Sequence, residues 1–118
     1  MFINLAHKKL EVYQVSKKLA FLCYQTTKDF PIEEKFGLTQ QIRRASSSIL
    51  LNIAEGSSRK SPLERKRFFE IARGSAVEID AALDLAVSLS LIQKEKLTET
   101  GERLVDCFKL LSNLISKS

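Results

Sequence analysis

The sequence is short of turn formers, with four glycines and two prolines in 118 residues, less than half the average combined share of about 12%. That scarcity excludes a collagen-like or linker-rich chain and argues against a sandwich or barrel of many short strands. Histidine occurs once and cysteine twice, too few for a tetrahedral metal site with the usual ligand spacing. No run approaches the ~18 apolar residues of a membrane span. The apolar stretch at residues 1–6 is too short for a signal-peptide core, and it precedes its charges instead of following them. No GxSxG, HExxH or GxGxxG occurs, which leaves catalysis without a signature. What remains is a 44% hydrophobic, 28% charged composition, long enough for a single domain over residues 1–118 with a core of its own.

Apolar periodicity predicts four helices and an all-α fold. The first covers about 6–27, with Val12, Val15, Leu19, Leu22 and Cys23 at helical spacing. Lys28-Asp29-Phe30-Pro31 ends it, because the residue before proline avoids the α region, and 31–37 has room for one short turn. The second covers 38–57 on the stripe Leu38, Ile42, Ala45, Ile49, Ile53, with Gly56 placed as a left-handed cap. The third starts at Pro62, where Ser61 and Glu64 make a capping box. Its stripe runs Phe68, Ala72, Ser75, Ile79, Ala82/Leu83, Ala86, Leu89, and Gly74 is expected to admit a neighbouring helix closely. The fourth covers about 94–116 on Leu97, Leu104, Phe108, Leu111 and Ile115, with Thr100-Gly101 weakening its first turns. Four helices of this length with short links predict an antiparallel up-down-up-down four-helix bundle.

Cys23 and Cys107 both fall on apolar stripes and read as small core residues in a reducing, cytoplasmic setting. His7, near a terminus beside two lysines, reads as solvated.

The net charge is +5 and unevenly spread. Residues 1–37 carry six basic and four acidic side chains, residues 38–73 eight and three, residues 74–118 five and seven. The middle third therefore points to a polyanionic partner, and its basic residues Arg43, Arg44, Arg59, Lys60, Arg65, Lys66, Arg67 and Arg73 are the candidate nucleic-acid contacts. Gly56-Ser57-Ser58-Arg59-Lys60-Ser61 is no phosphate loop, since Arg59 stands where a second glycine is required and a helix precedes. Pro62 has no N–H to offer an anion, so phosphate contact there rests on side chains. Basic residues at a helix N-terminus also oppose its dipole, a mild cost that suggests a use for them.

Two helices carry a second apolar face. Leu10, Tyr13, Ala20, Phe21 and Tyr24 lie nearly opposite the first helix's stripe, and Leu50, Leu51 and Ala54 lie opposite the second's, beside Ser47, Arg43 and Arg44. The fourth helix shows one apolar face only. A bundle monomer would leave such faces exposed, so these residues form the expected homo-oligomer interface. Asn52 and Glu55 border the second helix's stripe and read as structural partners of Arg44, Arg73 or a helix end.

Phe36-Gly37-Leu38-Thr39, Gln41-Ile42-Arg43-Arg44-Ala45, Ser48-Ile49 and Asn52-Ile53-Ala54-Glu55-Gly56, followed by Phe69-Glu70-Ile71-Ala72-Arg73-Gly74-Ser75 and Glu78, resemble the four-helix-bundle proteins encoded in intervening sequences of bacterial 23S ribosomal RNA genes. The resemblance runs from about Leu10 to Leu111 and adds Glu78 to the structural polar residues. It implies an antiparallel bundle assembled as a ring-like homopentamer, with no known enzymatic activity. Similar proteins include the accessory variability factors of diversity-generating retroelements, basic pentamers that bind a reverse transcriptase and nucleic acid; Arg43, Arg44, Arg59, Lys60 and Arg73 are the matching basic positions. Leu50 stands where the family usually has proline, so no kink is carried over there.

The combined expectation is a cytoplasmic, non-enzymatic homo-oligomer that binds structured nucleic acid, RNA in preference to DNA, by phosphate neutralisation. It needs no cofactor, metal, membrane or small-molecule substrate. The alternative is a protein-interaction scaffold whose basic face docks an acidic partner.

Overall fold

The computed structural model describes residues 1–3, 5 and 10–117, among which four α-helices carry the fold: α1 (Glu11–Thr27), α2 (Leu38–Ser57), α3 (Pro62–Ser88) and α4 (Thr98–Ser116). The described residues contain no strand. α1 touches α2 and α4, and α3 touches α2 and α4. The helices therefore close a square in chain order, an antiparallel up-down-up-down four-helix bundle as the short links require.

Each helix end has a local cause. α1 begins at Glu11; the expected start at residue 6 falls on residues 6–9, outside the described set, as does His7. Its last turn is closed by Thr27, whose hydroxyl donates to the Cys23 carbonyl at 2.9 Å. A short 3-10 turn at Ile32–Glu34 follows, and the Glu34 carboxylate accepts from the Leu38 amide at 3.0 Å, filling one of the orphan donors of α2. α3 starts at Pro62 with the Ser61 side chain accepting from the Glu64 amide at 3.3 Å. α4 starts at Thr98 and not at 94, because Lys94–Leu97 winds as a separate 3-10 turn.

The core is a single cluster built from Val12, Leu19 and Cys23, Ile42, Ala45, Ile49 and Ile53, Phe69, Ala72, Ala76, Ile79, Leu83 and Ala86, and Leu104, Cys107, Leu111 and Ile115. Three stripe assignments shift by one position or fail. Phe69 is buried and Phe68 only half so; Cys107 is buried and Phe108 exposed; Leu89 is exposed. Phe68 and Phe108 sit at the margin of their stripes, and a neighbouring helix on one side decides which of two adjacent residues goes inward.

The glycines exchange the roles expected of them. Gly56 does not end α2 in a left-handed cap, since no glycine has positive φ and α2 continues to Ser57. Gly56 is instead the close-approach site: a Cβ there would lie 2.8 Å from the Phe68 Cβ and 3.1 Å from the Phe69 ring. Gly74 admits no neighbour, because an added Cβ would meet nothing within 4 Å. α2 and α3 are the most closely packed pair, with Gly56 against Phe68 and Phe69 near one end and Ser48 against Ser75 further along. Ser75 Oγ donates to Ser48 Oγ at 3.1 Å across the seam, which fixes its register, while Asn52 Nδ2 donates to the Ser48 carbonyl at 2.8 Å within α2. α2 runs unbroken through Leu50. Among the described residues the one positive φ is at Ser90 (60°) after α3, where the Leu91 amide reaches the Ala86 carbonyl (2.9 Å) and the Ser90 amide the Val87 carbonyl (3.0 Å), a Schellman closure made without glycine.

Candidate nucleic-acid interface

The turn from Ser58 to Ser61 joins α2 to α3 at one end of the bundle. Its backbone is held from inside. Arg65, one turn into α3, folds its guanidinium back so that Nη1 donates to the carbonyls of Arg59 (2.7 Å) and Lys60 (2.9 Å). Arg59 lies over the Phe68 ring at 5.1 Å and pairs with Glu55 at 3.4 Å. That ion pair is exposed on both sides, and such pairs contribute little, so a phosphate can replace the carboxylate at small cost. Lys60 and Arg67 are exposed, Lys66 half-buried. Five of the eight candidate cations, Arg59, Lys60, Arg65, Lys66 and Arg67, thus gather at this end.

The other three separate onto three different seams. Arg43 is half-buried against α1, with Nε donating to Thr27 Oγ1 (2.8 Å), Nη2 to the Tyr24 carbonyl (3.3 Å), and the guanidinium 4.9 Å from the Tyr24 ring. It is not on the outward side of α2 as expected; it closes the last turn of α1. Arg44 turns toward α3, donating to Gln41 (2.8 Å) and pairing loosely with Glu78 (3.9 Å). Arg73 turns toward α4, donating to Ser112 Oγ (3.2 Å) and lying 5.9 Å from the Phe108 ring. Asn52 and Glu55 consequently meet neither Arg44 nor Arg73: Asn52 bonds Ser48, and Glu55 pairs with Arg59 while its carbonyl accepts from Ser58 at the end of α2. Two adjacent arginines point 100° apart on a helix, so no sequence count could place Arg43 and Arg44 on one surface.

Sequence reasoning passed over Lys117, which follows α4 at the same bundle end because the helices alternate in direction. The opposite end is balanced. Lys28, Lys35, Lys94 and Lys96 stand against Asp29, Glu33, Glu34 and Glu95 in its two connections. The cationic excess therefore sits at the α2–α3 end, where Arg59, Lys60, Arg65, Lys66, Arg67 and Lys117 outnumber Glu11, Glu55 and Glu64.

The candidate oligomer residues divide by exposure. Phe21 (55%) and Leu51 (64%) are the most exposed, Tyr24 is exposed, Ala20, Leu50 and Ala54 are half-buried, and Leu10 and Tyr13 lean partly on the core. The first and second helices bring their outer faces together, since Tyr24 Oη lies 3.4 Å from Ser47 Oγ across α1–α2. The fourth helix does not have one apolar face only: Val105 (51%) and Phe108 (41%) are exposed on its α3 side.

Burial pushes the thiols of Cys23 and Cys107 up to about 12, with the nearby Asp106 carboxylate adding to the latter. Neither is ionised at neutral pH, and neither has thiolate reactivity. Among the described residues no cluster of His, Cys, Asp and Glu could hold a metal ion, and no helix is long and apolar enough to cross a membrane.

Fold and site together assign the chain to the antiparallel four-helix bundles with a cationic inter-helix turn. The chain belongs to the 23S rRNA-intervening sequence protein family, whose model matches residues 8–113. Its fold is similar to that of a protein with unknown function from the S23 ribosomal protein family of Bacteroides thetaiotaomicron VPI-5482, at 24% identity and a TM-score of 0.78 over 88% of this chain and 97% of that one. No curated protein matches.

Proposed function

We propose that this protein is a non-enzymatic, cytoplasmic homo-oligomer, of five copies as the family resemblance implies, that binds structured RNA end-on through the α2–α3 turn. The observation that carries the reading is the gathering of Arg59, Lys60, Arg65, Lys66 and Arg67 at one bundle end, with Arg65 spent on the backbone and Arg59 and Lys60 left free to exchange partners. Phosphate neutralisation supplies the affinity, and bases are not read, since the turn lacks the exposed aromatic platform that base stacking uses. Side-by-side copies would repeat the cationic end and raise avidity without new contacts.

The test is an RNA shift assay over a salt series. Four single-strand phosphate contacts, from Arg59, Lys60, Lys66 and Arg67, give a log–log slope near −2.8, an affinity loss of about 50-fold between 50 and 200 mM salt. Arg59→Gln with Lys60→Gln should flatten the slope by about 1.4 and weaken unrelated RNA sequences equally. An intact oligomer that binds neither RNA nor DNA at low salt ends this reading and leaves the acidic-protein scaffold. An unchanged slope in the double variant moves the site away from the turn.

A further inference from the structure

The two ends of the bundle differ in more than charge. α1 and α3 begin, and α2 and α4 finish, at the end that carries the cationic excess. Exposed apolar side chains stand at that same end. Leu63, in the first turn of α3, is 77% exposed, with Lys66 and Arg67 one turn after it on the same helix. Helical side chains lean toward the N-terminus, so Leu63 leans toward the end of the bundle. The chain also enters α1 here. Leu5 lies five residues before Leu10, within about 18 Å of it however the link runs. Phe2 is 91% exposed and Ile3 66%, and the sequence that follows them adds Lys8 and Lys9. The opposite end exposes Ile32 and Phe36, but there the four lysines are matched by four carboxylates. Among the described residues, only the α2–α3 end joins exposed apolar side chains to a cationic excess.

We infer that this end of the bundle docks on an anionic lipid bilayer, with Phe2, Ile3 and Leu63 entering the boundary between headgroups and acyl chains and Arg59, Lys60, Lys66 and Arg67 meeting lipid phosphates. This partner goes beyond the RNA proposed above and departs from the expectation that a membrane plays no part. The argument is one of complementarity. RNA satisfies the cations but leaves Phe2, Ile3 and Leu63 in water. A neutral bilayer takes the apolar side chains and leaves the charge unanswered. An anionic bilayer, such as the cytoplasmic leaflet, satisfies both, and apolar insertion too small to hold a protein alone becomes sufficient when a basic patch is added. No described helix is long and apolar enough to cross a membrane, so the docking is peripheral, with the bundle standing on its end. The end lies off the lateral helix faces proposed for self-association, so every copy of an assembly can present it, and the contacts add. The same cations serve lipid and RNA, so the two exclude each other.

Vesicle sedimentation at low salt tests the inference. The wild type should pellet with phosphatidylcholine vesicles carrying about one-third phosphatidylglycerol, and stay in solution with phosphatidylcholine alone. Arg59→Gln with Lys60→Gln should weaken pelleting about 30-fold, from about fivefold per cation. Phe2→Ser with Ile3→Ser should weaken it by at least about tenfold and leave the RNA shift unchanged, because phosphate contact does not use them. Both side chains are exposed, so the variant should keep the helical circular dichroism of the wild type. Ile32→Ser with Phe36→Ser, at the balanced end, should pellet as the wild type does. Excess RNA should release the protein from the vesicles. A wild type that shifts RNA but ignores anionic vesicles overturns this inference and leaves the RNA reading standing; one that pellets but shifts no RNA does the reverse. Equal pelleting with neutral vesicles, an unchanged Phe2/Ile3 variant, or a loss in the Ile32/Phe36 variant refutes this docking end. RNA that joins vesicle-bound protein without releasing it refutes the shared cations.

Discussion

Replacing Gly56 and Gly74 by alanine makes one chemical change inside two helices and should move stability in opposite directions. In both, alanine gains about 1 kcal/mol of helix propensity over glycine. At Gly74 nothing opposes that gain, because the new methyl meets no atom within 4 Å. At Gly56 the methyl arrives 2.8 Å from the Phe68 Cβ and 3.1 and 3.3 Å from two carbons of the Phe69 ring. The Phe68 Cβ is bonded directly to its backbone and cannot swing aside, and Phe69 is buried. α2 and α3 must therefore part at their tightest end, an overpacking cost of about 1–3 kcal/mol. Gly74→Ala should be more stable than the wild type by about 1 kcal/mol, and Gly56→Ala less stable by up to about 2 kcal/mol. At about 4 °C per kcal/mol for a chain of this size, the two melting temperatures should differ by roughly 4–12 °C. Urea unfolding followed by circular dichroism, at one protein concentration so that assembly contributes equally, measures both. A Gly56→Ala protein as stable as Gly74→Ala would refute the close-approach reading.

Ser90→Gly should stabilise by a few tenths to about 1 kcal/mol, since the position after α3 holds φ at 60°; a destabilised variant in urea would contradict this. Cys23 and Cys107 should react with thiol reagents only as fast as the bundle opens, and rapid labelling of native protein at pH 8 would contradict their burial. Their folded pKa values are raised to about 12 from 9.0, so the stability linked to both thiols is intact below pH 9 and is lost as pH rises toward 12. Comparing urea midpoints at pH 8 and pH 10 with a Cys23→Ala, Cys107→Ala variant should give the wild type the larger fall.

Helix existence was written locally. The stripe Ile42, Ala45, Ile49, Ile53 and the Ser61-Pro62-Glu64 start need only neighbours three or four residues away, and α2 and the start of α3 match those readings. The bundle topology follows from four such stripes and short links. The charge excess of the middle third was also plain, because composition is additive.

What only the tertiary structure decided is every feature that depends on which helix stands beside which. Phe68 and Phe69 are adjacent in the chain, and the position of α2 chooses the one that goes inward. Gly56 is crowded and Gly74 bare because α3 leans its Phe68–Phe69 end on α2, a distance no local pattern encodes. Eight cations became five at one end plus three on separate seams, since a helix turns 100° per residue and each direction meets a different neighbour. The groove between α3 and α4 exists only once Val77 and Val105 face each other across a seam, from positions 28 residues apart that share no periodicity.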